Sequence, residues 1–179
     1  MNKILLRLWF VLITLATGSF AQVQYSEIEI KAAFLERFTR FIEWPTADVQ
    51  ANDSDSFVIG IVNGALIEEE ISELYATQKI KNKPVKIIYI SSQDSLTLIH
   101  SCHLIFIDKR WQKQASIIVK KIQGKAILTV GDGSDFFKKG VMINFYKDRN
   151  RLRFKINADS VRNAGLMMDF RLLKFASQN

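Results

Sequence analysis

The sequence predicts one α/β domain. It reads as a three-layer sandwich whose mostly parallel sheet ends in a C-terminal antiparallel hairpin and is closed by a C-terminal helix. Three observations predict this. Short apolar runs rich in β-branched residues alternate with helical stretches of about ten residues, the rhythm of a parallel sheet covered on both faces. Near the C-terminus the rhythm gives way to strict apolar–polar alternation, which marks an antiparallel strand with one face in water. The 179 residues are 48% hydrophobic and 24% charged, which argues against a disordered tail, a collagen-like rod or a multispanning membrane protein. One cysteine allows no intrachain disulfide, so the core must supply the stability.

Residues 1–21 read as a secretory leader. Lys3 and Arg7 precede the apolar run Leu8-Trp9-Phe10-Val11-Leu12-Ile13, and small Ser19 and Ala21 follow at the spacing a signal peptidase reads. The run is too short to span a bilayer, which needs about 20 apolar residues. Cleavage is expected after Ala21, leaving 22–179 as the mature domain, exported to the periplasm. A lipid anchor would require a cysteine at the cut, whereas the only one is Cys102. Export makes nucleic acid an unsuitable partner despite the formal charge of +7, and disfavours ATP- or NAD-dependent chemistry. Without Lys3 and Arg7, 23 basic face 18 acidic residues, a net +5. Residues 138–174 hold ten of those cations against Asp148, Asp159 and Asp169, so the positive field belongs to the C-terminal quarter.

The first helix is expected from Glu27 to Glu43. Ile30, Phe34, Leu35, Phe38, Phe41 and Ile42 share one face, with Lys31 as the exception, and Pro45 is the expected stop. After a polar loop at 52–56, Phe57 to Val62 reads as a buried strand. A helix over Leu66 to Gln78 follows, acidic in its first turn where the dipole favours it. Pro84 to Ile90, His103 to Ile107 and Ala126 to Val130 are strands. Between them lie a short helix at Asp94 to His100 and a second at Gln112 to Ile122, ended by Gly124. Val141 to Tyr146 and Leu152 to Ile156 form the hairpin around a charged turn, Lys147 to Arg151. In its second strand Leu152, Phe154 and Ile156 face inward, and Arg153 and Lys155 outward. Asn157 is a good N-cap for a last helix, in which Val161, Ala164, Gly165, Met168, Leu172, Phe175 and Ala176 follow i, i+3, i+4, i+7 spacing.

Three places invite a chemical reading. His100-Ser101-Cys102-His103 offers candidate metal ligands, but a strand beginning there sends Cys102 and His103 to opposite faces. A buried structural cysteine beside partly solvated histidines therefore fits better, and no metal or cofactor is expected. Gly131-Asp132-Gly133-Ser134-Asp135 follows a strand, where α/β sheets bind ligands. It matches neither the dinucleotide nor the phosphate-loop pattern, so Asp132, Gly133 and Ser134 are candidate ligand contacts and a plain turn is the alternative. The hairpin cations Arg149, Arg151, Arg153 and Lys155 are candidate contacts for an acidic partner, and a merely solvated face is the alternative. No serine–histidine–acid set has a recognisable spacing.

Lys31-Ala32-Ala33-Phe34-Leu35, followed by Phe38, Phe41, Glu43, Trp44 and Pro45, resembles the opening signature of the YfiR family. Similar blocks are Phe57 to Gly60, Cys102 to Ile107, Ile127 to Asp132, Gly140 to Phe145, Leu152 to Asn157, Ala164-Gly165-Leu166 and Leu172 to Ala176. The resemblance covers roughly residues 28–176. Within it Phe34, Trp44, Pro45, Cys102, Gly140, Asn157 and Gly165 are expected to be structural. It implies an exported, non-enzymatic regulator that binds the periplasmic domain of an inner-membrane diguanylate cyclase, or another sensor, and represses cyclic-di-GMP synthesis. It also implies a homodimer and sensitivity to redox state or envelope stress. A ligand-binding accessory of a sensor histidine kinase or outer-membrane receptor is the alternative, with a small molecule as its ligand. A metal-assisted enzyme is the third reading.

Overall fold

A computed structural model describes residues 25–45 and 55–177. The expected leader, and most of the loop after Pro45, lie outside the described residues.

The first helix, α1 (Glu27–Phe41), starts with a capping box: the Ser26 hydroxyl accepts from the Glu29 amide, and the Ser26 amide donates to the Glu29 carboxylate. Helix α1 does not reach Pro45. Ile42 is already extended (φ −115°, ψ 136°), and Ile42–Glu43 form β1, paired antiparallel with Met167–Met168 (β9). A tertiary strand pairing therefore ends this helix before proline can.

The sheet proper contains β2 (Phe57–Val62), β3 (Lys79–Ile80), β4 (Lys83–Ile90), β5 (Leu104–Ile107), β6 (Leu128–Asp132), β7 (Ile143–Asp148) and β8 (Arg151–Ile156). Their order is β3-β4-β2-β5-β6-β7-β8; β4, β2, β5, β6 and β7 are parallel, and the edge strands β3 and β8 are antiparallel. Strand β3 is an addition. The expected helix to Gln78 ends at Tyr75 (α2, Ala65–Tyr75), and a two-residue turn with positive φ at Lys81 and Asn82 folds β3 back on β4. The short helix before β5 is a 3₁₀ segment, Asp94–Ser101. The next begins as a 3₁₀ turn, Lys109–Gln114, and becomes α3 (Ala115–Lys121).

Side-chain alternation divides the core into two layers of apolar packing. Phe57, Ile59 and Ile61 of β2 join Leu104 and Phe106 of β5 under α1, α2 and the C-terminal helices. Val58, Val62, Ile105 and Ile107 point the other way, onto Leu96, Ile99, Ala115, Ile118 and Phe136. The result is a three-layer α/β sandwich with a C-terminal hairpin.

The expected single last helix is broken. Helix α4 (Ala158–Asn163) ends in a left-handed Gly165 (φ +72°), β9 follows, and α5 (Phe170–Ser177) starts anew. The apolar spacing runs through the break, but the turn redirects the chain. Val161 and Leu172 stay in the core while Phe175 is left half in solvent.

Candidate functional site

Strand β2 leads through α2 to β4 on one side, whereas the chain then returns to β5 on the other. The connections therefore diverge between β2 and β5, the switch point at whose carboxyl ends α/β sheets form ligand crevices. A cleft of about 580 Å³ lies there, bordered by the first turns of α1 and α2, by Phe106 and by the loop Asp108-Lys109-Arg110.

Its charges are mostly matched. The Lys31 ammonium, on a side chain only 8% exposed, is 2.6 Å from Glu27 and 2.7 Å from Asp132. Burial alone would lower its pKa, but the bonds to Asp132 and Glu27 outweigh burial and hold it above the ordinary lysine value. Glu27 is held below the usual carboxylate range, first by Lys147 of the hairpin (2.5 Å) and then by Lys31. Asp108 accepts from Arg110 Nε at 2.8 Å, and Arg110 also donates to the Asn63 carbonyl. The one apolar-stripe exception in α1 is thus its deepest charge.

Of the candidate ligand residues, Asp132 is in this cleft, whereas Gly133 lines an adjoining one shared with Tyr146 and Lys147. Ser134 begins a 3₁₀ turn, Ser134–Lys139. Sequence reasoning overlooked Glu27, Lys109 and Arg110. Beyond Asp132, only the break in the α1 stripe at Lys31 signalled the site.

The hairpin cations are not one uniform set. Arg149 sits in the two-residue turn with φ +45°, beside Asn150 at +62°, and Arg151 is exposed. Arg153 is half-buried and 3.1 Å from Asp148. Lys155 lies over the rings of Phe137 and Tyr146, at 5.0 and 5.8 Å from their centroids.

A third surface was not foreseen. On and beside α5, Met167 is 62% and Phe170 73% exposed, with Leu173 and Phe175 partly uncovered. A groove of about 250 Å³ between α1 and α5 is walled by Phe34, Phe38, Phe41 and Phe154 and flanked by Arg37 and Arg171. Phe175 stacks on Phe154 at 5.9 Å, so this apolar surface adjoins β8 of the hairpin.

A family model described as YfiR/HmsC-like matches residues 28–177. The chain belongs to the YfiR/HmsC-like family. No curated protein matches it. The YfiR/HmsC-like family is one of periplasmic regulators of cyclic-di-GMP signalling rather than of enzymes, and membership supports that general role here. Among the described residues no helix is long and apolar enough to cross a membrane.

The remaining site residues sit where packing uses them. Trp44 is buried and donates from Nε1 to the His103 carbonyl. Half-buried Phe34 packs on Phe38, Phe145 and Phe154. Pro45 lies against Gly165, Gly140 closes the 3₁₀ turn in a left-handed conformation, and the Asn157 side chain caps α4 by accepting from the Ser160 amide. Cys102 and His103 do point to opposite faces. The thiol is buried against Gly60, and burial pushes its pKa up to about 12, leaving almost no thiolate at neutral pH. His103, expected to be partly solvated, is instead 2% exposed and stacked on Phe57. Among the described residues no three His, Cys, Asp or Glu side chains converge as a metal site.

Proposed function

We propose that this YfiR/HmsC-like protein is exported, loses its leader after Ala21, and acts in the periplasm as the domain 22–179. There it binds the outward-facing domain of an inner-membrane diguanylate cyclase and represses cyclic-di-GMP synthesis. The observation that carries the contact is the row of exposed apolar side chains on and beside α5, adjoining a basic hairpin. Soluble monomers rarely leave such clustered apolar surface uncovered without a use for it. Aromatic side chains flanked by arginines are enriched at interface centres. The hairpin cations Arg149 and Arg151 add long-range steering toward an acidic partner. Repression follows if docking favours one arrangement of the cyclase, and the shift can be no larger than the difference in affinity between the two arrangements.

Phe170→Glu and, separately, Arg149→Glu/Arg151→Glu test the surface against a purified cyclase periplasmic domain. The first should abolish binding. The second should slow association and flatten its dependence on salt. Wild-type affinity in Phe170→Glu removes α5 from the contact. A second copy of the chain as the occupant of this surface would appear as a dimer that Phe170→Glu dissociates.

A further inference from the structure

We propose that the cleft at the carboxyl ends of β2, β5 and β6 binds a small organic monocarboxylate with an apolar body. Its position between the diverging connections of β2 and β5, and its volume of about 580 Å³, suit a metabolite-sized ligand. Unused donors line it. Glu27 and Asp132 take two of the three protons of Lys31, whose side chain is more than nine-tenths buried, and no third acceptor is present among the described residues. Helix α2 starts at Gly64 with no side-chain cap, so the first amides of an eleven-residue helix have no partner within it. Lys109 is exposed at the rim and has no ion pair among the described residues.

Charge selects the class of ligand. Each cleft carboxylate is already matched: Glu27 by Lys147 as well as Lys31, Asp132 by Lys31, Asp108 by Arg110, three cations for three carboxylates. Lys109 and the positive end of the α2 dipole remain, together matched by a single negative charge. A phosphate dianion would bring its second charge against three carboxylates, and a diamine would meet Lys31 and Lys109. Apart from Ser26, the rest of the wall is apolar. Leu66, 65% exposed, lines the same opening as Phe106 and Ile67, and a ligand body would cover it. None of these residues belongs to the α5 surface, so the site stands apart from the proposed partner contact.

Titration of the purified protein with phenylacetate, followed by amide chemical shifts and calorimetry, tests this without any partner; its failure leaves the cyclase contact untouched. Saturable shifts are expected at Ala65, Leu66, Lys109 and Asp132, with none from inorganic phosphate at equal concentration. Lys109→Ala and Leu66→Glu alter exposed positions and should each weaken binding about tenfold, the effect of losing one charge-assisted or well-covered contact. Absence of saturable shifts with phenylacetate and with hexanoate at millimolar concentration overturns the proposal. So do shifts confined to the groove between α1 and α5, tighter binding of phosphate, or undiminished affinity in Lys109→Ala.

Discussion

Beyond its backbone bonds to Val58 and Leu128, His103 fastens the amino-terminal end of the sheet with three contacts. Its Nδ1 accepts the Val58 amide at 2.9 Å, its carbonyl accepts the Trp44 indole at 3.1 Å, and its ring stacks on Phe57. Because Nδ1 accepts, the imidazole is neutral with its proton on Nε2. Burial first, and Lys83 second, hold its pKa below the ordinary value. The sign follows from linkage: the unfolded chain takes up this proton as pH falls below about 6.5, before the folded chain does. Stability is therefore whole above that pH and declines below it, by up to about 1.4 kcal/mol per pH unit for this one proton. In urea titrations between pH 7 and 5, His103→Phe should lose that part of the slope. It should also be less stable at pH 7 by about 1–3 kcal/mol, since the Val58 amide is left without a partner. An unchanged slope would show that the ring is charged or solvated in the native state. Gly131 is equally constrained, because a Cβ there would come within 2.7 Å of the buried Phe136 ring. Gly131→Ala should cost about 1–3 kcal/mol by overpacking, read as a lower denaturation midpoint. The opposed directions of Cys102 and His103 were legible from strand alternation alone. The depth of His103 was not, because it depends on Trp44 and Val58 arriving from distant segments.

At the level of elements, strands were easier to recognise than helix ends. Continuous apolar runs such as Phe57 to Val62 can be satisfied only in the middle of a covered sheet, so composition identified them. Helix ends were decided by partners instead. Helix α1 yields to the β1–β9 pairing, and the apolar spacing from Val161 to Ala176 hides a left-handed turn that only Gly165 betrays. The nearest atom to a Cβ at Gly165 would be Pro45 Cγ at 3.9 Å, so the cost of adding one is backbone strain alone. Gly165→Ala should lower stability by about 1–2 kcal/mol, seen as a reduced melting temperature with an unchanged circular dichroism spectrum. The hairpin turn gives the converse case. Arg149 and Asn150 both hold positive φ, a geometry that Asn-Gly prefers. Arg149→Asn/Asn150→Gly should therefore raise stability by about 0.5–1 kcal/mol, the left-handed strain relieved less the entropy a glycine loses on folding, while removing one steering charge. A lower melting temperature would show that Arg149 is fixed by contacts rather than strained.

For the whole molecule, the family, the α/β class and the C-terminal excess of positive charge could all be read from the chain. The candidate sites could be read only in part. Asp132 was found because it ends a strand, whereas Lys31, Lys109 and the N-terminus of α2 meet it only through sheet order, which no local pattern encodes. The exposed apolar surface escaped notice because Phe175 falls in the apolar spacing of a single last helix and Phe170 outside it, until the break at Gly165 turns α5. The molecule thus carries a matched-charge cleft at the carboxyl end of its sheet and an apolar, basic-flanked surface at its C-terminus, and the proposed regulation by contact rests on the second. The most direct measurement is titration of the purified protein into the periplasmic domain of a membrane diguanylate cyclase from the same cell, alongside cellular cyclic-di-GMP with and without the gene. Binding at micromolar concentration or tighter, lost in Phe170→Glu, with cyclic-di-GMP rising on deletion, is the predicted result. No binding at that concentration and unchanged cyclic-di-GMP would contradict it.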